Sequence, residues 1–134
     1  TLFLRNNNIT RYDEKALWTH KNLAGVQLES NIGLYPPKID INMPSLQFLA
    51  FANNDISLNI DFNREKFPNL MMLFLNGNKL TTFPDKSLKD SLELLGIARC
   101  HLRIVPTYLS TFHKLKYLDL DTSVVPLICN GRCC

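Results

Sequence analysis

LMMLFLNGNKL, residues 70–80, is the stretch on which the fold turns. Six apolar side chains, Leu70 to Leu75, run into an abruptly polar turn, Asn76-Gly77-Asn78. Side chains alternate between the faces of a strand, so Leu73 and Leu75 share one face while Met72 and Phe74 share the other. A short strand that is apolar on both faces expects to be covered twice. The core is one cover; the other has to be accounted for.

The stretch recurs along the chain as LFLRNNNI, LAGVQLESNIGL, LQFLAFANNDI, LELLGIARCHL and LKYLDLDTSVV. Its anchor residues are Leu2, Val26, Leu49, Leu73, Leu95 and Leu118, spaced 24, 23, 24, 22 and 23 residues apart. A period of this length marks stacked units, none of which can bury its apolar face alone. Stacking them in register builds a continuous core and a parallel sheet.

The shared pattern, L-x-x-L-x-L-x-x-N-x-L, resembles the leucine-rich repeat family over nearly the whole chain. There are six copies, the first truncated, within residues 1–126, and a cysteine-containing tail at 127–134. The resemblance implies an α/β repeat solenoid, a right-handed horseshoe with a concave parallel sheet inside and short helices or 3₁₀ turns outside. It also implies a non-enzymatic module that binds a protein or peptide, as in an extracellular receptor or a secreted protein. The alternative is a structural segment of a longer solenoid that self-associates or continues into further repeats.

A turn ladder follows the strands at Asn7, Asn31, Asn54 and Asn78, continued by Cys100 and Ser123. A buried Asn is tolerable only with its amide satisfied, and the backbone of the turn supplies the partners. The resemblance implies that Cys can stand in for Asn here. In the second repeat Gly33 occupies the last Leu position, leaving Ile32 or Leu34 to fill the gap. Among the return segments, YDEKALWTHKNL reads as a short helix capped by Asp13. FPDKSLKDSL and VPTYLSTFHKL read as short helices or 3₁₀ turns opened by Pro, and residues 32–45 and 57–69 read as irregular.

With Leu4, Leu28, Phe51, Leu75, Ile97 and Leu120 inward, the alternate positions form three columns on the concave face. The first is Gly25, Phe48, Met72, Leu94 and Tyr117; the second is Phe3, Gln27, Ala50, Phe74, Gly96 and Asp119. The third is Arg5, Glu29, Ala52, Asn76, Ala98 and Asp121. Strands about 4.8 Å apart make the first column a contiguous apolar stripe, with small residues leaving room around it. A contiguous patch points to interaction more than scattered hydrophobes do. The expected partner-binding residues are Phe3, Arg5, Gln27, Glu29, Phe48, Met72, Phe74, Asn76, Leu94, Tyr117, Asp119 and Asp121. Asp119 and Asp121 share a face of one strand and could receive a partner's Lys or Arg, help bind a cation, or stand as a solvated acidic end.

Cys129, Cys133 and Cys134 form an odd set in the tail, so at least one lacks a local partner. The resemblance implies a disulfide-rich cap, although the Cys-x-Cys spacing and flanking Trp of the usual cap are missing. A zinc site is the competing reading, short of four ligands. Asn8-Ile9-Thr10 is the single N-glycosylation sequon, with Asn8 as acceptor. Together with the tail it tilts the compartment toward the cell surface or exterior. His20 and His113 fall on the return side and are expected at the outer edge of the core; His101 lies beside Cys100. No nucleophile and acid are arranged around any of them and no phosphate loop appears, so neither catalysis, metal nor cofactor is expected.

Composition sets the outer bounds. The 134 residues are 46% hydrophobic and 20% charged, which is globular rather than disordered. The net charge of +3 is scattered, whereas nucleic acid requires a concentrated basic face, so no nucleic-acid partner is expected. No apolar run approaches the roughly 20 residues that span a bilayer, so no direct membrane insertion is expected of this chain.

Overall fold

In the computed structural model, which describes residues 1–32, 34, 42–57 and 61–121, the repeats stack into one curved, unclosed parallel sheet. Its strands are β1 (Leu2–Phe3), β2 (Gly25–Gln27), β3 (Phe48–Ala50), β4 (Met72–Phe74), β5 (Leu94–Gly96) and β6 (Tyr117–Asp119), ordered as in the chain. The register pairs Leu2 with Val26, Val26 with Leu49, Leu49 with Leu73, Leu73 with Leu95 and Leu95 with Leu118. These are the anchors of the repeat. A slip of one residue would turn every anchor out of the core, so the pairing is strongly specified.

Strands β3, β4 and β6 are entered through tight turns. Leu46 donates its amide to Met43 O, Leu70 to Phe67 O and Leu115 to Phe112 O. Pro44 and Pro68 take the second position of two of these turns, where a fixed φ near −65° is what the backbone requires. The residues that open and close them, Met43, Leu46, Phe67 and Leu70, are wholly buried. Proline here sets the angle at which the chain enters the sheet.

The core lies between the inward strand residues and the return segments. Val26, Leu28, Leu49, Phe51, Leu73, Leu75, Leu95 and Ile97 meet Leu17, Trp18, Phe62, Phe67, Leu88, Leu92 and Phe112. One α-helix, α1 (Glu14–Trp18), lies in the first return, and Asp13 caps it by accepting the Lys15 amide at 2.9 Å. The returns at Lys86–Asp90 and Thr107–Thr111 are 3₁₀ helices. Leu34, 3% exposed, fills the gap in the second repeat, while Ile32 is 79% exposed. His20 and His113 are both exposed, contrary to their expected place at the core edge. Each sits in the turn just before a strand, where the half-buried Leu23 or Leu115, not the polar residue, packs against the core. Trp18 is buried with its Nε1 lacking a hydrogen-bond partner among the described residues.

Candidate partner-binding face

The turn ladder is what holds the strands in position. Asn31 Nδ2 donates to Leu28 O and Leu4 O, Asn54 Nδ2 to Phe51 O and Leu28 O, and Asn78 Nδ2 to Leu75 O and Phe51 O. Each amide therefore bonds one carbonyl of its own repeat and one of the repeat before. The carboxamide oxygens point the same way: Ile9 N donates to Asn31 Oδ1, Asn31 N to Asn54 Oδ1, and Asn54 N to Asn78 Oδ1. Asn7, in the first repeat, is exposed and donates to Leu4 O and Arg5 O. Cys100 continues the ladder, its Sγ donating to Leu75 O at 3.4 Å and Ala98 O at 3.7 Å. Burial pushes this thiol above its ordinary pKa, against the opposing pull of nearby backbone hydrogen bonds. Ser123 and the tail cysteines Cys129, Cys133 and Cys134 lie outside the described residues.

A second row runs beside the ladder. Asn6, Ser30, Asn53, Gly77 and Arg99 all have positive φ, between 53° and 70°. Each directly precedes a ladder residue, where the chain must swing from strand into turn. Asn and Gly tolerate this left-handed conformation; Ser and Arg adopt it at a cost. The pairs Asn6-Asn7, Asn53-Asn54 and Gly77-Asn78 carried this signal in the sequence.

On the face turned away from the core, the columns align as cross-strand partners. Gly25, Phe48, Met72, Leu94 and Tyr117 form one row; Phe3, Gln27, Ala50, Phe74, Gly96 and Asp119 form the next. Phe48, Met72, Phe74 and Leu94 are half-buried, Tyr117 is 49% exposed and Phe3 is 67% exposed. Phe48 and Phe74 meet edge to face, ring centres 5.9 Å apart. Gly25, Ala50, Gly96 and Ala98 do not open recesses as their size suggested; all four are buried. A Cβ on Gly96 would lie 2.9 Å from Phe74 Cδ1 and 2.7 Å from Asn76 Oδ1, and one on Gly25 would lie 3.4 Å from Phe48 Cδ1. Large side chains lean over the small ones, so the stripe is a smooth surface and not a row of sockets.

The polar residues of this face divide in two. Asn76 Nδ2 reaches across Gly96 to donate to Asp119 Oδ2 at 3.0 Å, and its Oδ1 accepts the Ala98 amide at 3.1 Å. Asp121 accepts the Arg99 amide on both carboxylate oxygens, each at 2.9 Å. Asn76, Asp119 and Asp121 thus brace β4, β5 and β6, with Arg99 contributing its backbone and not its guanidinium. That bridge, between residues 43 positions apart, carried no signal in the sequence. Arg5 is exposed, Gln27 is half-buried, and Glu29 is half-buried with Oε2 lacking a hydrogen-bond partner among the described residues. Among the described residues, no group of three or more His, Cys, Asp or Glu could hold a metal ion, and no helix is long and apolar enough to cross a membrane.

Known proteins share this repeat pattern. The chain is 30% identical over 146 residues to Toll-like receptor 2 of Macaca mulatta, covering 89% of the chain and 18% of the receptor. Over 124 residues it is 30% identical to Toll-like receptor 2 of Homo sapiens, covering 87% of the chain and 14% of the receptor. Over 109 residues it is 34% identical to leucine-rich repeat-containing G-protein coupled receptor 5 of Xenopus tropicalis, covering 79% of the chain and 12% of the receptor. This chain is a leucine-rich repeat protein. The repeats span at most 18% of the length of these curated relatives. No family profile and no solved structure matches the chain. The ladder of Asn31, Asn54 and Asn78 is the structural signature of the repeat in this chain.

Proposed function

We propose that the concave face is a non-catalytic recognition surface for a protein or peptide, at the cell surface or outside the cell. The contiguous apolar stripe of Phe48, Met72, Phe74, Leu94 and Tyr117, on the sheet face opposite the core, carries this reading. Similarity to proteins named as receptors supports it. Aromatic anchors surrounded by polar groups are the usual anatomy of an energetic interface. Arg5, Gln27 and Glu29 orient the partner at one end. Asn76, Asp119 and Asp121 hold the other end rigid, so that the surface is preorganised before the partner arrives.

The test is capture of partners from secreted and cytosolic fractions with the wild type, Phe74→Asp and Tyr117→Ala, each variant first shown to be folded by circular dichroism. An anchor loss exceeds about 2 kcal/mol, roughly 30-fold in affinity. A partner bound equally by all three proteins would move the site off this face. Sedimentation across a concentration series addresses self-association through the stripe: a mass that rises with concentration and falls back in Phe74→Asp would make a second copy the occupant.

A further inference from the structure

We infer that Asn8 is an N-glycan acceptor whose glycan covers the exposed Ile32 and leaves the concave stripe open. The inference rests on the extracellular or surface placement proposed above. Three asparagines stand in a row, and the fold gives each a different part. Asn6 has positive φ and turns the chain. Asn7 spends its amide on Leu4 O and Arg5 O. Asn8 is exposed and makes no hydrogen bond among the described residues, so its Nδ2 is available.

The rest of the sequon is arranged to present it. Ile9 is half-buried and its amide is held by Asn31 Oδ1 at 3.1 Å. Asn8 and Thr10 flank it, both exposed, in a stretch that is neither helix nor strand. The middle residue is thus tied to the second repeat, and the amide and the hydroxyl at either side are left to solvent. Glycosyl transfer needs both groups accessible together. The amide nitrogen attacks the anomeric carbon of a lipid-diphosphate-linked oligosaccharide, forming the N–C bond. The C–O bond to the diphosphate breaks, the lipid diphosphate leaves with the bonding pair, and the amide loses one proton to the transferase.

Position in the repeat determines what the glycan would cover. Asn8 is equivalent to Ile32 in the second repeat, 24 residues on, the same spacing as the paired anchors Leu2 and Val26. Adjacent repeats lie about 4.8 Å apart at the sheet, so the first sugar falls beside Ile32. Ile32 is 79% exposed, more than Phe3, Ile104 or Tyr117. The stripe lies at the strands, before the turn, whereas Asn8 and Ile32 lie beyond it. A glycan at Asn8 therefore shields an exposed apolar side chain without obstructing a partner on the sheet.

The chain should be delivered to the secretory pathway of a mammalian cell behind a cleavable signal, and its intact mass recorded before and after treatment with a peptide N-glycanase. The expected result is one glycan, removed by the amidase, absent from Asn8→Gln and Thr10→Ala and retained in Thr10→Ser. An unmodified secreted chain, or a glycan that persists in Asn8→Gln, overturns the assignment. The amidase-treated wild type should also bind an apolar fluorescent dye more strongly than the glycosylated form, and Ile32→Ser should abolish that difference. No difference would overturn the shielding of Ile32. Because delivery is imposed by the signal, this result concerns Asn8 alone. Fractionation of the native protein tests the compartment separately.

Discussion

Replacing Asn54 by Ala should cost about 3 kcal/mol, several times the cost of the same change at Asn7. Asn54 is fully buried, and its carboxamide makes three bonds: to Phe51 O at 2.9 Å, to Leu28 O at 2.9 Å and from Asn31 N at 2.7 Å. These do not fail equally. Leu28 O keeps the Asn31 amide at 2.8 Å, and Phe51 O keeps the Asn78 amide at 2.9 Å, so neither carbonyl is orphaned. The Asn31 N–H loses its Asn54 acceptor in a site with no solvent. A buried donor left unpaired costs about 1–3 kcal/mol, and each lost but compensated bond costs about 0.5–1.5 kcal/mol. At Asn7 the two bonds are exposed and Leu4 O is shared with Asn31, so water replaces what is lost and the cost stays below about 1 kcal/mol. Urea denaturation of the two variants beside the wild type measures both numbers. Equal losses at Asn54 and Asn7 would refute the argument that the ladder stabilises through its buried amides.

Three further outcomes follow from the same geometry. Gly96→Ala should lower stability by about 1–2 kcal/mol in denaturant titration, because the new methyl displaces Asn76 and Phe74 and breaks the Asn76–Asp119 bridge. Arg99→Gly should raise stability by up to about 1 kcal/mol in the same assay, since relief of the left-handed backbone outweighs the entropy that glycine adds to the unfolded chain. Asp85, capping the 3₁₀ helix at Lys86–Asp90, has its pKa lowered by hydrogen bonds from the Ser87 side chain and backbone. A depressed folded pKa means this contribution is present above the ordinary carboxylate range and is lost as pH falls through the folded value. Thermal midpoints of the wild type and Asp85→Asn should therefore separate near neutrality and converge once the pH has fallen below the lowered pKa of the folded state.

Much of this molecule was legible in its residues for one reason: each repeat has another repeat as its partner. The spacing of Leu2, Val26, Leu49, Leu73, Leu95 and Leu118 states the register outright, because period-two alternation allows only one inward set. The ladder was equally legible, since an Asn at a fixed place after every strand has only the turn's carbonyls to serve. Asp13 as a cap and the short helical returns were also readable from local chemistry. The two exposed histidines were not, because a return segment has no strict period to say which side faces in.

What the tertiary structure alone decided is the fate of side chains that meet across strands. Spacing placed Gly96 beside Phe74 and Asp119, but whether the gap stayed open depended on how far the neighbours could lean. Phe74 and Asn76 cover it, and Asn76 reaches Asp119 across the bare backbone. Asp121 likewise accepts the Arg99 amide, so both carboxylates of the acidic pair also brace neighbouring repeats. The division has a physical basis. Strand register follows from backbone periodicity and burial, both of which recur locally in the sequence. Cross-strand contacts depend on the reach and rotamer of several side chains at once, and these are set only when the repeats are stacked.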